Sequence, residues 1–147
     1  MSVRVSVILD RKGADVVTIG RQATVTEALR VLAEHNIGAI VVCERGAVDG
    51  IVSERDIVRR LASSGSEALG LTVEEVMTAD VLMCNLDATA DEVMQVMTKH
   101  RARHLPVLDD RRRLAGIVSI GDVVKSRLDD LETQTQSMQD YISGSTY

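Results

Sequence analysis

The 147-residue chain has no tryptophan and no phenylalanine, and its two tyrosines, Tyr141 and Tyr147, both lie in the last seven residues. With so few rings, an aromatic platform for stacking bases is excluded, and any core must be aliphatic. Cationic charge is also scarce. Seventeen basic residues face 22 acidic ones, the net charge is −5 and the isoelectric point is near 5.2, so the basic footprint of nucleic-acid or anionic-membrane binding is missing. No apolar run approaches the roughly 18 residues of a membrane span. Near the N-terminus the apolar stretch Val5 to Leu9 is too short for a signal peptide. These absences lead us to expect a cytoplasmic protein that engages neither membrane nor nucleic acid. The two cysteines, Cys43 and Cys84, are far apart in apolar surroundings. They read as buried thiols in a reducing compartment.

Hydrophobic residues make up 45% of the chain and charged residues 27%, a soluble globular balance. The dominant feature is an internal repeat. Ala23-Thr24-Val25-Thr26-Glu27-Ala28-Leu29 aligns with Ala88-Thr89-Ala90-Asp91-Glu92-Val93-Met94 at an offset of 65. One extra residue then shifts the register, and Gly50-Ile51-Val52-Ser53-Glu54-Arg55-Asp56-Ile57-Val58 falls on Gly116-Ile117-Val118-Ser119-Ile120-Gly121-Asp122-Val123-Val124 with six of nine positions identical.

Each repeat reads strand, helix, strand, strand, helix. A strand (Val16 to Ile19; Val81 to Cys84) precedes Thr24 or Thr89, each followed three residues later by Glu27 or Glu92, the capping-box pattern that opens a helix. An apolar strand follows (Ala39 to Cys43; Leu105 to Leu108), and a charged, Gly-containing turn leads to Gly50–Val52 or Gly116–Val118. The last helix of each repeat begins after Ser53 or Ser119. The expected fold is α+β: two pseudo-symmetric βαββα repeats, at residues 16–64 and 79–127, each too small to bury both faces of its sheet and therefore packed sheet to sheet. Residues 1–15 read as an N-terminal extension, 65–78 as a connecting segment and 128–147 as a C-terminal helix and tail. In that last region Val124, Leu128, Leu131, Thr135, Met138 and Ile142 recur at alternating spacings of four and three, an a/d seam suited to a partner helix or to the chain's own module.

Two readings compete for Ser53-x-x-Asp56 and Ser119-x-x-Asp122. A helix N-terminus favours an anion, and a carboxylate three residues on can accept both hydroxyls of a ribose. The same residues also serve as an ordinary cap with a first-turn acid. The repeats differ in charge: Arg101, Arg103 and His104 precede Pro106 in the second, whereas Asn36, Gly38 and Ala39 hold the corresponding places in the first. Guanidiniums can bind phosphate bidentately. Pro106 lacks an N–H and suits an edge or strand start. His100 and His104, four apart, lack the carboxylate or thiol that would complete a metal set. No nucleophile–base pair or enzyme-type phosphate loop is present.

The two Gly-Ile-Val-Ser-x-x-Asp blocks, His104-Leu105-Pro106-Val107 and the Thr-x-x-Glu helix openings together resemble a tandem pair of cystathionine-β-synthase (CBS) domains, a Bateman module, in the stand-alone bacterial form. The resemblance covers residues 16 to about 128. It implies a non-enzymatic sensor of adenine nucleotides (AMP, ATP or NAD(H)) that signals by changing shape. It also implies a homodimer, an unidentified downstream protein and no catalytic cofactor; the alternative is an assembly module with structural clefts. By the same resemblance Asp56 and Asp122 hold ribose, Ser53 and Ser119 lie near phosphate, and Arg101, Arg103 and His104 serve the phosphate of the second cleft. Gly38, Ala39 and Arg55 then belong to the first cleft. Thr18 offers a polar contact there that Met83 does not supply in the second.

Overall fold

In the computed structural model, which describes residues 2–143, the repeat is a matter of backbone geometry. The elements run α1 (Val5–Lys12), β1 (Thr18–Ile19), α2 (Val25–His35), β2 (Ala39–Glu44), β3 (Ala47–Ser53), α3 (Glu54–Ser64), a 3₁₀ turn (Gly65–Gly70), α4 (Val73–Val76), β4 (Cys84–Asn85), α5 (Ala90–His100), β5 (His104–Leu108), β6 (Leu114–Ser119) and α6 (Ile120–Ser143). Two three-stranded sheets result, ordered β1-β2-β3 and β4-β5-β6. In each, the first strand pairs in parallel with the middle one and the hairpin is antiparallel. The fold is the expected α+β pair of βαββα repeats with a C-terminal helix.

Local chemistry explains the helix starts. Thr24 accepts from the Glu27 N–H at 3.1 Å; Thr89 and Glu92 cap each other's backbone at 3.2 and 3.1 Å. Asn36 and Arg101 end α2 and α5 in the left-handed region, φ 51° and 55°, which frees the chain to turn straight into β2 and β5. Both repeats carry a register shift in the hairpin, after Val42 and after Val107, so the bulge is part of the repeated design.

The strands expected over Val16–Ile19 and Val81–Cys84 shrink to Thr18–Ile19 and Cys84–Asn85, because each is an edge that pairs with its neighbour for only two residues. The hairpin return strands are longer than Gly50–Val52 and Gly116–Val118. The helix that closes the second repeat runs without a break into the C-terminal seam, giving a 24-residue α6.

Residues 1–15 supply α1, a helix that the β-branched string Val5-Ser6-Val7-Ile8 does not advertise. Tertiary burial outweighs that weak propensity: Val5, Ile8 and Leu9 share one face and join Val93, Met97, Leu105, Val107, Val118 and Val123 in the core of the second repeat. The connecting segment does the same for the first repeat, where Val73 and Val76 join Val25, Leu32, Ile40, Val42, Val52 and Ile57. The isolated bridges match as well: Arg4 pairs Thr89 as Thr72 pairs Thr24. Each repeat is thus completed by the segment that precedes the other one. Arg21 and Glu74, an ion pair, fasten the connecting segment to the first repeat. Both cores are aliphatic, each fully buried Val, Leu or Ile contributing about 1.5–3 kcal/mol.

Candidate functional site

A cleft of about 580 Å³ is lined by both repeats, within the roughly 300–1,000 Å³ of small-molecule sites. One wall is the start of α3. There Ser53 and Asp56 form a complete capping box: the Ser53 N–H and hydroxyl both donate to Asp56 Oδ2 at 2.9 Å, and the Asp56 N–H donates to Ser53 Oγ at 3.2 Å. The cap therefore uses one carboxylate oxygen. Among the described residues Oδ1 of Asp56 accepts no hydrogen bond, so capping and ligand binding are compatible roles. Arg55 and Arg59, one turn apart on α3, line the same cleft.

The opposite wall is the segment from His100 to His104. This differs from the expectation that Arg101, Arg103 and His104 accompany Asp122: Arg101 and Arg103 line the cleft of Ser53 and Asp56 instead. The reason is the way the repeats pack, with the start of β5 set against the first repeat. A Cβ at Gly38 would lie 3.7 Å from His104 Cε1, an ordinary van der Waals contact, so the imidazole of the second repeat packs directly against the backbone of the first. Gly38 and Ala39 line the cleft too. Four guanidiniums, from Arg55, Arg59, Arg101 and Arg103, outnumber the carboxylates of Glu54, Asp56 and Asp80 there, which leaves a modest positive balance. Ile51, Val81 and Leu82 provide an apolar side.

His104 faces charges of both repeats. Burial holds its imidazole below the ordinary value; Asp122 and Glu54 pull it back up, and Lys12 and Arg103 push it down. It is neutral at pH 7 and able to donate one N–H. Pro106 is buried within β5, the middle strand. Pairing with β4 begins only at Val107, so the missing N–H comes one residue before that ladder. Thr18 is exposed on β1 and does not line the cleft.

The second Ser-x-x-Asp is built alike but used differently. The Ser119 N–H donates to Asp122 Oδ2 at 2.8 Å and the Asp122 N–H to Ser119 Oγ at 3.1 Å. Lys12, at the end of α1, donates to the same Oδ2 at 2.6 Å. Burial pushes the Asp122 carboxyl up, but Lys12 and the Ser119 N–H outweigh it and hold it below the usual carboxylate value. Beside this pair a cavity of about 190 Å³ opens between α1 and α6. The two clefts are therefore unequal, and Asp122 already holds a cation.

The sequence reading missed Arg59, Asp80 and Lys12. Arg59 was legible as Arg55 plus one helical turn. Lys12 carried no signal, since its partner lies 110 residues away. Burial pushes the Cys84 thiol up to about 11. Among the described residues no group of three or more His, Cys, Asp or Glu could hold a metal ion, and no helix is long and apolar enough to cross a membrane.

A family model described as "CBS domain" matches residues 8–63 and again 73–129. The Arabidopsis thaliana "CBS domain-containing protein CBSX3, mitochondrial" is 34% identical over 126 residues, a match covering 82% of this chain and 61% of the plant protein. Among solved structures, the CBS-domain containing protein ATU1752 from Agrobacterium tumefaciens superposes with a TM-score of 0.82 at 47% identity, covering 86% of this chain and 95% of that one. The CBS domain pair of protein MJ0100, in complex with 5′-methylthioadenosine and S-adenosyl-L-methionine, superposes with a TM-score of 0.76 at 31% identity, covering 90% and 99%.

Proposed function

The chain belongs to the CBS-domain family, with two such domains in tandem, and from that premise we propose that it is a non-catalytic regulatory module binding an adenine nucleotide in the cleft between its repeats. One observation carries the reading: a single 580 Å³ cleft holds the partly free carboxylate of Asp56 together with Arg55, Arg59, Arg101 and Arg103. Asp56 Oδ1 accepts the ribose hydroxyls. The guanidiniums, with the N-terminal end of α3, hold phosphate through charge-assisted hydrogen bonds. With no aromatic ring at hand, adenine rests on Ile51, Val81 and Leu82, and backbone groups read its edge. The MJ0100 pair, crystallised with two adenosine compounds, supports the nucleoside part. The four arginines favour a phosphorylated ligand, AMP, ATP or NAD(H), over an uncharged one.

Both repeats grip the ligand, so binding fixes their relative position. That shape change is the signal a downstream protein reads, from a homodimer in the cytoplasm. Calorimetric titration of the full chain with AMP, ATP, NAD(H) and S-adenosylmethionine tests the reading. At least one should bind, and Asp56→Ala should remove that binding while the melting curve stays cooperative. No heat and no thermal shift with any of the four, at a hundredfold excess over micromolar affinity where roughly 2.7 kcal/mol of stabilisation is expected, would falsify it.

A further inference from the structure

α6 has two unlike halves. Up to Asp130 it rests on the module through α5 and α1, with Val123 and Ser126 buried. From Leu131 to Ser143 every residue is exposed, and this half lies past residue 129, where the second domain match stops. A free helix of that length is marginal in water, so something must cover it. The apolar residues show where. Val124, Leu128, Leu131, Met138 and Ile142 are 45%, 54%, 45%, 64% and 74% exposed, and with Thr135 they form one narrow stripe. That width is the seam of a coiled coil rather than the broader face a helix lays on a globular core. At about 100° per residue the stripe is centred roughly 130° around the helix from Val123 and Ser126, leaving it clear of the module.

The flanking charges choose the occupant. We propose that the seam is covered by α6 of a second copy of this chain, running parallel and in register. With Leu128, Thr135 and Ile142 as a positions and Val124, Leu131 and Met138 as d positions, Arg127 falls at g and Glu132 at e. Parallel pairing sets g against the e of the following heptad on the other helix. Arg127 thus meets Glu132 of the partner subunit, and symmetry makes the contact twice. Antiparallel pairing of the same seam sets e against e and puts the two Glu132 carboxylates together at the dyad, a repulsive contact. Arg127 is half-exposed and only loosely held by Asp91, at 3.8 Å, so it is free to turn toward a partner. The far side of the helix is polar, with Thr133 and Gln136 bonded to Asp129 and Asp140 of their own helix, and offers no competing stripe.

The inference adds an interface to the homodimer proposed above and is independent of the nucleotide, so calorimetry and sedimentation fail separately. Sedimentation equilibrium of the full chain should give a dimer. Leu131→Glu, which puts a charge at the centre of the seam, should weaken it roughly thirtyfold or more, the loss typical of a central anchor. Glu132→Gln discriminates orientation by sign: parallel pairing predicts a weaker dimer, antiparallel pairing a tighter one. Met138→Cys gives an independent check. With diamide added as the two-electron oxidant, the two thiols of the parallel dimer meet and join as a disulfide, whereas antiparallel helices hold them about 15 Å apart along the axis. A monomeric parent, a dimer indifferent to Leu131→Glu, a tighter Glu132→Gln dimer, or a Met138→Cys dimer that does not crosslink would each overturn the proposal. Leu131 and Glu132 lie on the exposed half of α6, outside both core clusters, so an unchanged melting curve for the monomeric variants shows that folding was not the cause.

Discussion

Replacing Lys12 with alanine should weaken the fold and strengthen nucleotide binding at the second cleft. Lys12 Nζ lies 2.6 Å from Asp122 Oδ2, with the two side chains 30% and 23% exposed. Exposed ion pairs contribute about 0.2–1 kcal/mol, and buried hydrogen bonds to charged groups about 1.5–3 kcal/mol. This mostly covered pair falls between, at about 1–2 kcal/mol. Losing it should lower the melting temperature by about 2–8 °C at this chain length. A ribose that claims Asp122 must first displace the ammonium, so the same energy is subtracted from binding there. At 1.4 kcal/mol per tenfold, Lys12→Ala should tighten the second cleft for AMP by roughly 5- to 30-fold, while Lys12→Arg keeps the parent behaviour. Calorimetric titration would show a second binding event emerging in the alanine variant. If AMP binds Lys12→Ala with the parent's stoichiometry and affinity, or more weakly, the lysine is not a plug and Asp122 is only a cap. Acid gives a parallel readout. Asp122 is held below the usual carboxylate value, so its contribution is present above about pH 3.8 and is lost as the pH falls through the lowered native value.

Arg103→Ala should cost AMP about tenfold and leave adenosine unchanged, because a charge-assisted contact of about 1.5–3 kcal/mol goes to phosphate alone; equal losses for both ligands in parallel titrations would mean the guanidinium supports the fold. Since burial keeps His104 neutral, the unfolded chain takes up its proton first. Stability should fall with pH below about 6.5, and AMP should bind more tightly in that range as phosphate restores the imidazolium; a flat affinity profile from pH 7 to 5 would remove His104 from the phosphate site. Gly50→Ala sets a Cβ 2.7 Å from the Thr78 carbonyl oxygen and Met77 Sδ, a backbone clash costing about 1–3 kcal/mol. Gly116→Ala meets only the movable tip of Leu9, at 2.9 Å, so thermal melts should rank Gly50→Ala the worse of the two.

The sequence by itself determined the repeat, the capping of α2, α3 and α5, the aliphatic core, the two Ser-x-x-Asp boxes and the apolar stripe of α6. All of these are local or periodic, written in residues three, four or seven apart. The resemblance of the Gly-Ile-Val-Ser blocks also led to the family. Only the tertiary structure decided which charges meet. Arg101 and Arg103 follow α5 in the chain, yet they line the cleft of Ser53 and Asp56, because that placement depends on how one repeat faces the other. The helix at Val5–Lys12 went unseen because its β-branched residues form a helix only when Val5, Ile8 and Leu9 are buried against β6 and α5. With that helix went the lysine that meets Asp122: two residues 110 apart share no sequence pattern, and only the packing of α1 brings the ammonium to the carboxylate.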